Sequence, residues 1–281
     1  MNNNIKTSVL LALLTALFLV VGNLLGGKSG LIIAGVVAVI INFTSYLYSD
    51  KIVLKMYKAR PMDEKEYPQI YKIVHNLCAA ANIPSPRIFI IPQSTPNAFA
   101  TGKNKENSVI AFTRGMIEGM DRNQLKGVIA HEISHIKHND MLISTVVATI
   151  AGAIGFIATM ARWALIFGGG RDDEEGGLIG VLVASIVAPL AALLIQAAVS
   201  RQREYEADRE GGIISGNPQF LIDALKNLSF YNKKQPMRKK NPSTAHLFIV
   251  NPFSLKGINR LFSTHPPVEE RIKRLQSIKN W

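Results

Sequence analysis

The chain has 281 residues with 48% hydrophobic content, a mean hydropathy of +0.16, and 32 Lys and Arg against 20 Asp and Glu, a net charge of +12. That basic balance would suit a nucleic-acid binder, but the chain has no aromatic–basic interleaving and no nucleic-acid-binding module, which excludes the class. A single cysteine, Cys78, rules out an intramolecular disulfide and agrees with a reducing compartment.

Residues 7–27, 29–49, 141–161 and 176–200 carry no Asp, Glu, Lys or Arg. Each run has at least 21 residues, enough to cross a hydrocarbon core of about 30 Å at about 1.5 Å per helical residue. Four such runs predict a multi-pass membrane protein rather than the long buried helices of a soluble one. The second, with Asn42, Thr44 and Ser45, is the weakest by composition. Lys6 precedes the first run without a small-x-small cleavage site after it, so an uncleaved anchor is expected in place of a signal peptide. The first two spans are so close that they must form a tight hairpin.

The loops set the orientation. Residues 168–175 hold one Arg against four acids, whereas residues 50–140 hold 13 Lys and Arg against 9 acids and residues 200–281 hold 15 against 7. Lys51, Lys55, Lys58 and Arg60 crowd the end of the second span, and Arg201 and Arg203 the end of the fourth. By the positive-inside rule, both large polar segments and both termini are cytoplasmic.

Between the hairpins, residues 63–82 read as an amphipathic helix with Ile70, Ile73, Val74, Leu77 and Ala81 on one face and His75 on the surface. Residues 87–91, 97–101 and 108–113 read as strands of a small sheet, the last two joined as a hairpin through residues 102–107. Asp121 and Gln124 have the spacing of a capping box and start a helix. That helix carries His131-Glu132-Ile133-Ser134-His135, an HExxH motif that shuffling would give roughly 0.005 times per chain. On a helix the two histidines share a face and can reach one ion, and Glu132 is placed to act on a water at that ion. The plain alternative is a pair of exposed histidines. His138 is too close to His135 to join a site already using both, and is expected on the surface or behind the site.

A catalytic zinc site takes three protein ligands. The continuation Ile136-Lys137-His138-Asn139-Asp140 does not match the longer zincin motif that supplies Gly and a third His, but the second transmembrane hairpin returns the chain to the same membrane face at Glu204-Tyr205-Glu206-Ala207-Asp208. Glu204 and Asp208 share a helical face and Glu206 does not. Two readings stay open on spacing: Glu204 as third ligand with Asp208 accepting from a histidine N–H, or surface acids paired with Arg201, Arg203 and Arg209. Beyond these, residues 233–240 are a basic cluster in a solvated loop or against anionic lipid, and a last helix runs from Pro266 or Pro267 to about Ile278.

Four ordered blocks now resemble the HtpX family of heat-shock membrane metallopeptidases: residues 131–135 with Asp140, 203–208, 96–102 and 264–271. The resemblance covers essentially the whole chain. It implies a predominantly α fold of four transmembrane helices plus a cytoplasmic α+β, zincin-like metallopeptidase domain with a small β-sheet. The divisions are 1–49 (spans about 7–27 and 29–49), 50–140, 141–200 (spans about 141–161 and 178–200) and 201–281. It also implies a zinc endopeptidase of the cytoplasmic (inner) membrane, with one Zn²⁺ per chain on His131, His135 and Glu204 and Glu132 as general base. Substrates would be damaged or misassembled membrane proteins or unfolded polypeptides, with association to other membrane quality-control proteases.

On the same resemblance His265 would stabilise the oxyanion, and Asp208, Asp140 and Arg271 would support the ligands. Asn97, Ala98, Phe99 and Ala100 would form a sheet edge that pairs with substrate backbone. The plainer readings are a simple hairpin strand for 97–101 and a helix-start histidine for His265. Two rivals to the function stand beside it. A noncatalytic membrane scaffold or quality-control adaptor would use zinc structurally. An intramembrane protease would place HExxH inside an apolar span, whereas Glu132 is surrounded by Arg122, Lys126, Lys137 and Asp140.

Overall fold

The computed structural model describes residues 3–147, 201–234, 247–250 and 266–278. Helix α1 (Asn3–Met56) is one run of helical residues, yet it doubles back on itself. Asn42 Nδ2 donates to Thr15 Oγ1 at 2.7 Å and to the Leu11 carbonyl at 3.3 Å, contacts that a straight helix would hold about 40 Å apart. The turn is made where Gly27 takes a left-handed φ of 54°, a conformation open to glycine without strain. The expected tight hairpin is therefore present. Among the described residues one helix, Gly27–Met56, is long and apolar enough to cross a membrane, and Leu11–Val20 is a shorter apolar stretch. Most of the predicted third span and all of the fourth lie outside the described residues.

After α1 come β1 (Arg60–Pro61), α2 (Pro68–Ala81), β2 (Arg87–Ile91), β3 (Ala98–Gly102), β4 (Ser108–Thr113), α3 (Arg114–Gly119) and α4 (Arg122–Lys137). The described residues further along include α5 (Arg201–Ser215), α6 (Gln219–Lys234) and α7 (Val268–Gln276). Helix α2 buries the apolar face its spacing predicts, but starts five residues later than residue 63. Asp63 caps a turn by accepting from the Lys65 N–H at 2.9 Å, and Pro68 begins the helix where its missing N–H does no harm. Strand β1 and helix α3 were not expected; Thr113 caps α3 by accepting from the Met116 N–H at 3.2 Å. The capping box of α4 has both reciprocal bonds, Asp121 accepting from Gln124 N and Gln124 from Asp121 N.

The sheet order is β1-β2-β4-β3, with β2 and β4 parallel and the other pairs antiparallel. Its strands are apolar on both faces because both faces are covered. Ile88, Ala98, Ala100, Ile110 and Phe112 join the core made with α2, α4 and α6. The alternate residues Ile91, Phe99, Val109 and Ala111 pack on Val53, Leu54 and Tyr57 at the end of α1. The sheet thus joins the hairpin to the peptidase helices, and β3 forms its outer edge.

Helix α4 packs most extensively against α5 and α6. The α4–α5 crossing is tight at Gly211, where an added Cβ would lie 2.9 Å from the backbone N and Cα of His131. Gly211→Ala must push the helices apart and should lower stability by about 1–3 kcal/mol, measurable as a reduced melting temperature. Metal content should fall with it, because the displaced backbone is that of His131.

Candidate metal centre

His131 and His135 stand one turn apart on α4 with their rings 4.8 Å apart and nearly perpendicular. Helix α5 crosses so that Glu204 faces both: its carboxylate oxygens lie 3.9 Å from His131 Nε2 and 3.6 Å from His135 Nε2. One ligand atom from each of the three residues falls within 4.8 Å of the other two. Glu206, on the opposite side of α5, is exposed and accepts from Gln202.

Behind the donors each histidine has a carboxylate at Nδ1. Asp208 lies 3.0 Å from His131 Nδ1, although the ring N–H is not aimed squarely at it. Asp140 lies 3.2 Å from His135 Nδ1. An arginine backs each carboxylate in turn. Arg271 of α7, 1% exposed, clamps Asp208 with two bonds of 2.8 and 2.6 Å, while Arg203 reaches Asp140 at 3.3 Å. Carboxylates at Nδ1 orient the imidazoles and leave Nε2 for a cation.

The charges follow from this layout. Burial pushes His131 down to about 4 against the pull of Asp208, so its ring is neutral. Burial acts the same way on His135, but the Asp140 hydrogen bond and the charges of Glu204, Asp140 and Glu132 outweigh it and hold the ring at about 9. Burial would raise Asp208 too, yet the Arg271 guanidinium keeps its carboxyl below the usual range. Burial, with Glu204 adding to it, pushes Glu132 up to about 7. The Ala100 N–H donates to the Glu132 carboxylate and opposes that rise. Two imidazoles and one carboxylate, converging and buried, fit a zinc-type ion, whose binding displaces the His135 proton.

The strand above the site divides the predicted substrate edge. The Thr113 N–H donates to the Asn97 carbonyl at 2.9 Å, so in the β3–β4 register Phe99 and Thr101 also bond inward and Ala98 and Ala100 turn outward. The chain itself takes the first outward position. The Ile249 N–H donates to the Ala98 carbonyl at 3.3 Å, Asn97 Nδ2 donates to the Val250 carbonyl at 2.7 Å, and Arg271 Nη1 to the Ile249 carbonyl at 2.6 Å. Phe248 fixes this strap, packed edge-on against Tyr57 and Phe99 with no exposed surface. Phe99 is core, which leaves Ala100 as the predicted edge residue that faces the site.

Three features escaped the sequence reading. Glu210 ties α5 to α4 by accepting from Ser134 and Lys137 at 2.8 and 2.7 Å and by pairing with the exposed His138. Arg203 is expected at the end of the fourth span or paired with surface acids, and its contact with Asp140 behind His135 was not foreseen. The strap at 247–250 was passed over as loop, though Leu247-Phe248-Ile249-Val250 is a strand-like run before Pro252. His265 lies outside the described residues. Cys78 is buried, its thiol pushed up to about 11, and takes no part.

A profile of peptidase family M48 matches residues 64–279. A protease HtpX homolog of Syntrophobacter fumaroxidans is 51% identical, covering 99% of this chain and 100% of its own. The chain belongs to the HtpX proteases of peptidase family M48. An HtpX homolog of Desulforapulum autotrophicum is 54% identical over 98% of this chain and 90% of its own, and one of Thermococcus kodakarensis 50% over 98% and 95%. Ste24p of S. mikatae has a TM-score of 0.47 at 19% identity, covering 94% of this chain and 62% of that one. Membership makes the protein a metalloprotease, and the three convergent donors form a candidate site for its metal.

The two carboxylate–arginine pairs should behave differently when broken. Asp208→Asn strands the buried Arg271 charge and should destabilise the protein by about 3–5 kcal/mol, read as a lower denaturant midpoint. Asp140→Asn, whose arginine partly reaches water, should hold the midpoint near wild type and weaken metal binding roughly 10–100-fold, measured by competition with a chromophoric chelator.

Proposed function

We propose that the protein is a zinc-dependent endopeptidase of the cytoplasmic membrane that cleaves misfolded or damaged membrane proteins. The observation that carries this reading is Glu132: a buried carboxylate beside the three donors, anchored by the Ala100 N–H and pushed up to about 7. A purely structural metal site has no use for a further buried acid whose carboxyl is pushed toward neutrality beside its donors.

Zn²⁺ on His131, His135 and Glu204 would supply Lewis acidity, acidifying water and polarising the scissile carbonyl. Glu132 takes the proton of the attacking water and passes it to the leaving amide nitrogen. A carboxyl near neutrality suits both transfers. The outward edge from Ala100 toward Gly102 pairs with extended substrate backbone, and Arg271 and Asn97 hold the strap that ends this edge. His265 is assigned to the oxyanion on the family resemblance. Four spans follow from the four uncharged apolar runs, and both termini inside from the loop charges; substrates in the same membrane are the polypeptides such an enzyme would meet.

Three variants test the reading with purified protein, zinc and an unfolded polypeptide. Glu132→Gln should keep stoichiometric zinc and lose cleavage by at least roughly 100-fold, the upper contribution of a general base being about 10⁴-fold. Glu204→Ala should lose the metal itself. A chelator should abolish wild-type cleavage and added zinc restore it. Retained cleavage by zinc-loaded Glu132→Gln would overturn the mechanism, and full zinc occupancy in Glu204→Ala would reject that ligand.

A further inference from the structure

A cleft of about 530 Å³ opens where the hairpin meets the sheet, far in character from the metal centre. One wall is the end of α1, carrying Lys51 and Lys55 at i and i+4 on one helix face, with Lys58 just beyond, where the chain turns at a φ of 53°. The other wall is the sheet, with Arg60 on β1 and Arg87 on β2. Five cations line the cleft against one acid, Asp50. Asp50 is already engaged by Arg87 at 3.5 Å, and Arg87 lies over the Phe89 ring. Among the described residues no carboxylate pairs with Lys51, Lys55, Lys58 or Arg60.

Lysines at a helix C-terminus have an ordinary explanation in the helix dipole. It does not account for Arg60 and Arg87, which come from a different element and converge on the same space. Unpaired like charges held in a concavity repel one another, and an anion relieves that. The position along α1 says which anion. Ile32, Ile33, Val36, Val39, Ile40 and Phe43 are well exposed apolar side chains, and exposed Tyr46 and Tyr48 follow. Lys51 comes about 12 Å beyond Phe43 along the axis. Hydrocarbon-facing residues, then aromatic residues, then cations is the sequence of chemistries from bilayer core to headgroup.

We propose that this cleft binds the phosphate of an anionic phospholipid headgroup, clamped between the membrane hairpin and the peptidase sheet. The phosphodiester sits among Lys51, Lys55, Lys58 and Arg60, and Arg87 keeps Asp50 from competing. The lipid thereby fixes the tilt of the sheet relative to the membrane. The proposal rests on Gly27–Met56 being a membrane span, and it is independent of the metal chemistry.

The test uses full-length protein, with lipid retention read by native mass spectrometry after reconstitution with phosphatidylcholine alone or mixed with phosphatidylglycerol. Wild type should retain phosphatidylglycerol in preference to phosphatidylcholine. The exposed triple variant Lys51→Gln, Lys55→Gln, Arg60→Gln should weaken that retention by at least roughly tenfold, each basic residue near an anionic surface being worth about fivefold. A control triple, Lys72→Gln, Arg122→Gln, Lys226→Gln, removes equal charge from α2, α4 and α6 and should retain lipid like wild type. Equal losses in both triples would reduce the effect to diffuse charge and overturn the site. Displacement of the lipid by inorganic phosphate or an acidic peptide at matching concentration would overturn a lipid as its occupant. Flotation with pure phosphatidylcholine vesicles separates the two failures: no flotation rejects the membrane span, and flotation without phosphatidylglycerol preference rejects only the cleft.

Discussion

Arg271 carries a guanidinium almost wholly withdrawn from water, and the Asp208 carboxylate is the counter-charge that makes that tolerable. The pair is bidentate, which fixes direction as well as distance. Asp208 faces His131 Nδ1 on its other side, and Arg271 reaches past it to the Ile249 carbonyl. One ion pair thus sets α7 against α5, α5 against the first histidine, and the strap against the sheet. Residues drawn from four separate stretches of chain meet at it. Such a pair is a poor source of net stability, because desolvation offsets most of its attraction. Its contribution is positional: the observed packing of α7 brings the guanidinium to both Asp208 and the Ile249 carbonyl.

The rest of the centre repeats that arrangement with less burial. Asp140 and Arg203 serve His135 as Asp208 and Arg271 serve His131, but nearer to solvent. Glu210 then bolts the solvent side of the α4–α5 crossing through Ser134, Lys137 and His138. The crossing is narrow enough for this only because Gly211 has no side chain. Backbone proximity, polar bolts and ligand convergence are therefore one design, and the sheet beneath carries it to the membrane hairpin.

Much of this was readable in advance where chemistry repeats at a helical period. HExxH, the Glu204–Asp208 spacing, the Asp121–Gln124 box and the apolar face of α2 are all local patterns, and the elements that bear them lie where periodicity put them. Strands β2, β3 and β4 were legible as apolar runs, but their order was not, because β2 pairs with β4 across an intervening strand. Nor could spacing decide whether Glu204 faced the histidines or a surface arginine, since that depends on how α5 crosses α4. Arg203 and Glu210 look like ordinary helix-surface charges until the crossing angle is known. The strap was missed for a similar reason: its four residues gain meaning only from a sheet edge some 150 residues earlier in the chain.

That strap has a further consequence. A protease acts on polypeptide, and an unpaired strand is a template for any extended chain that reaches it. With Ile249 and Val250 bonded to one end of β3 and Phe248 anchored in the core, the outward stretch left open among the described residues is a short one beside Glu132. A neighbouring chain can pair with that short stretch but cannot zip along the whole edge. The bonded strap thereby closes that end of the edge to pairing with another chain.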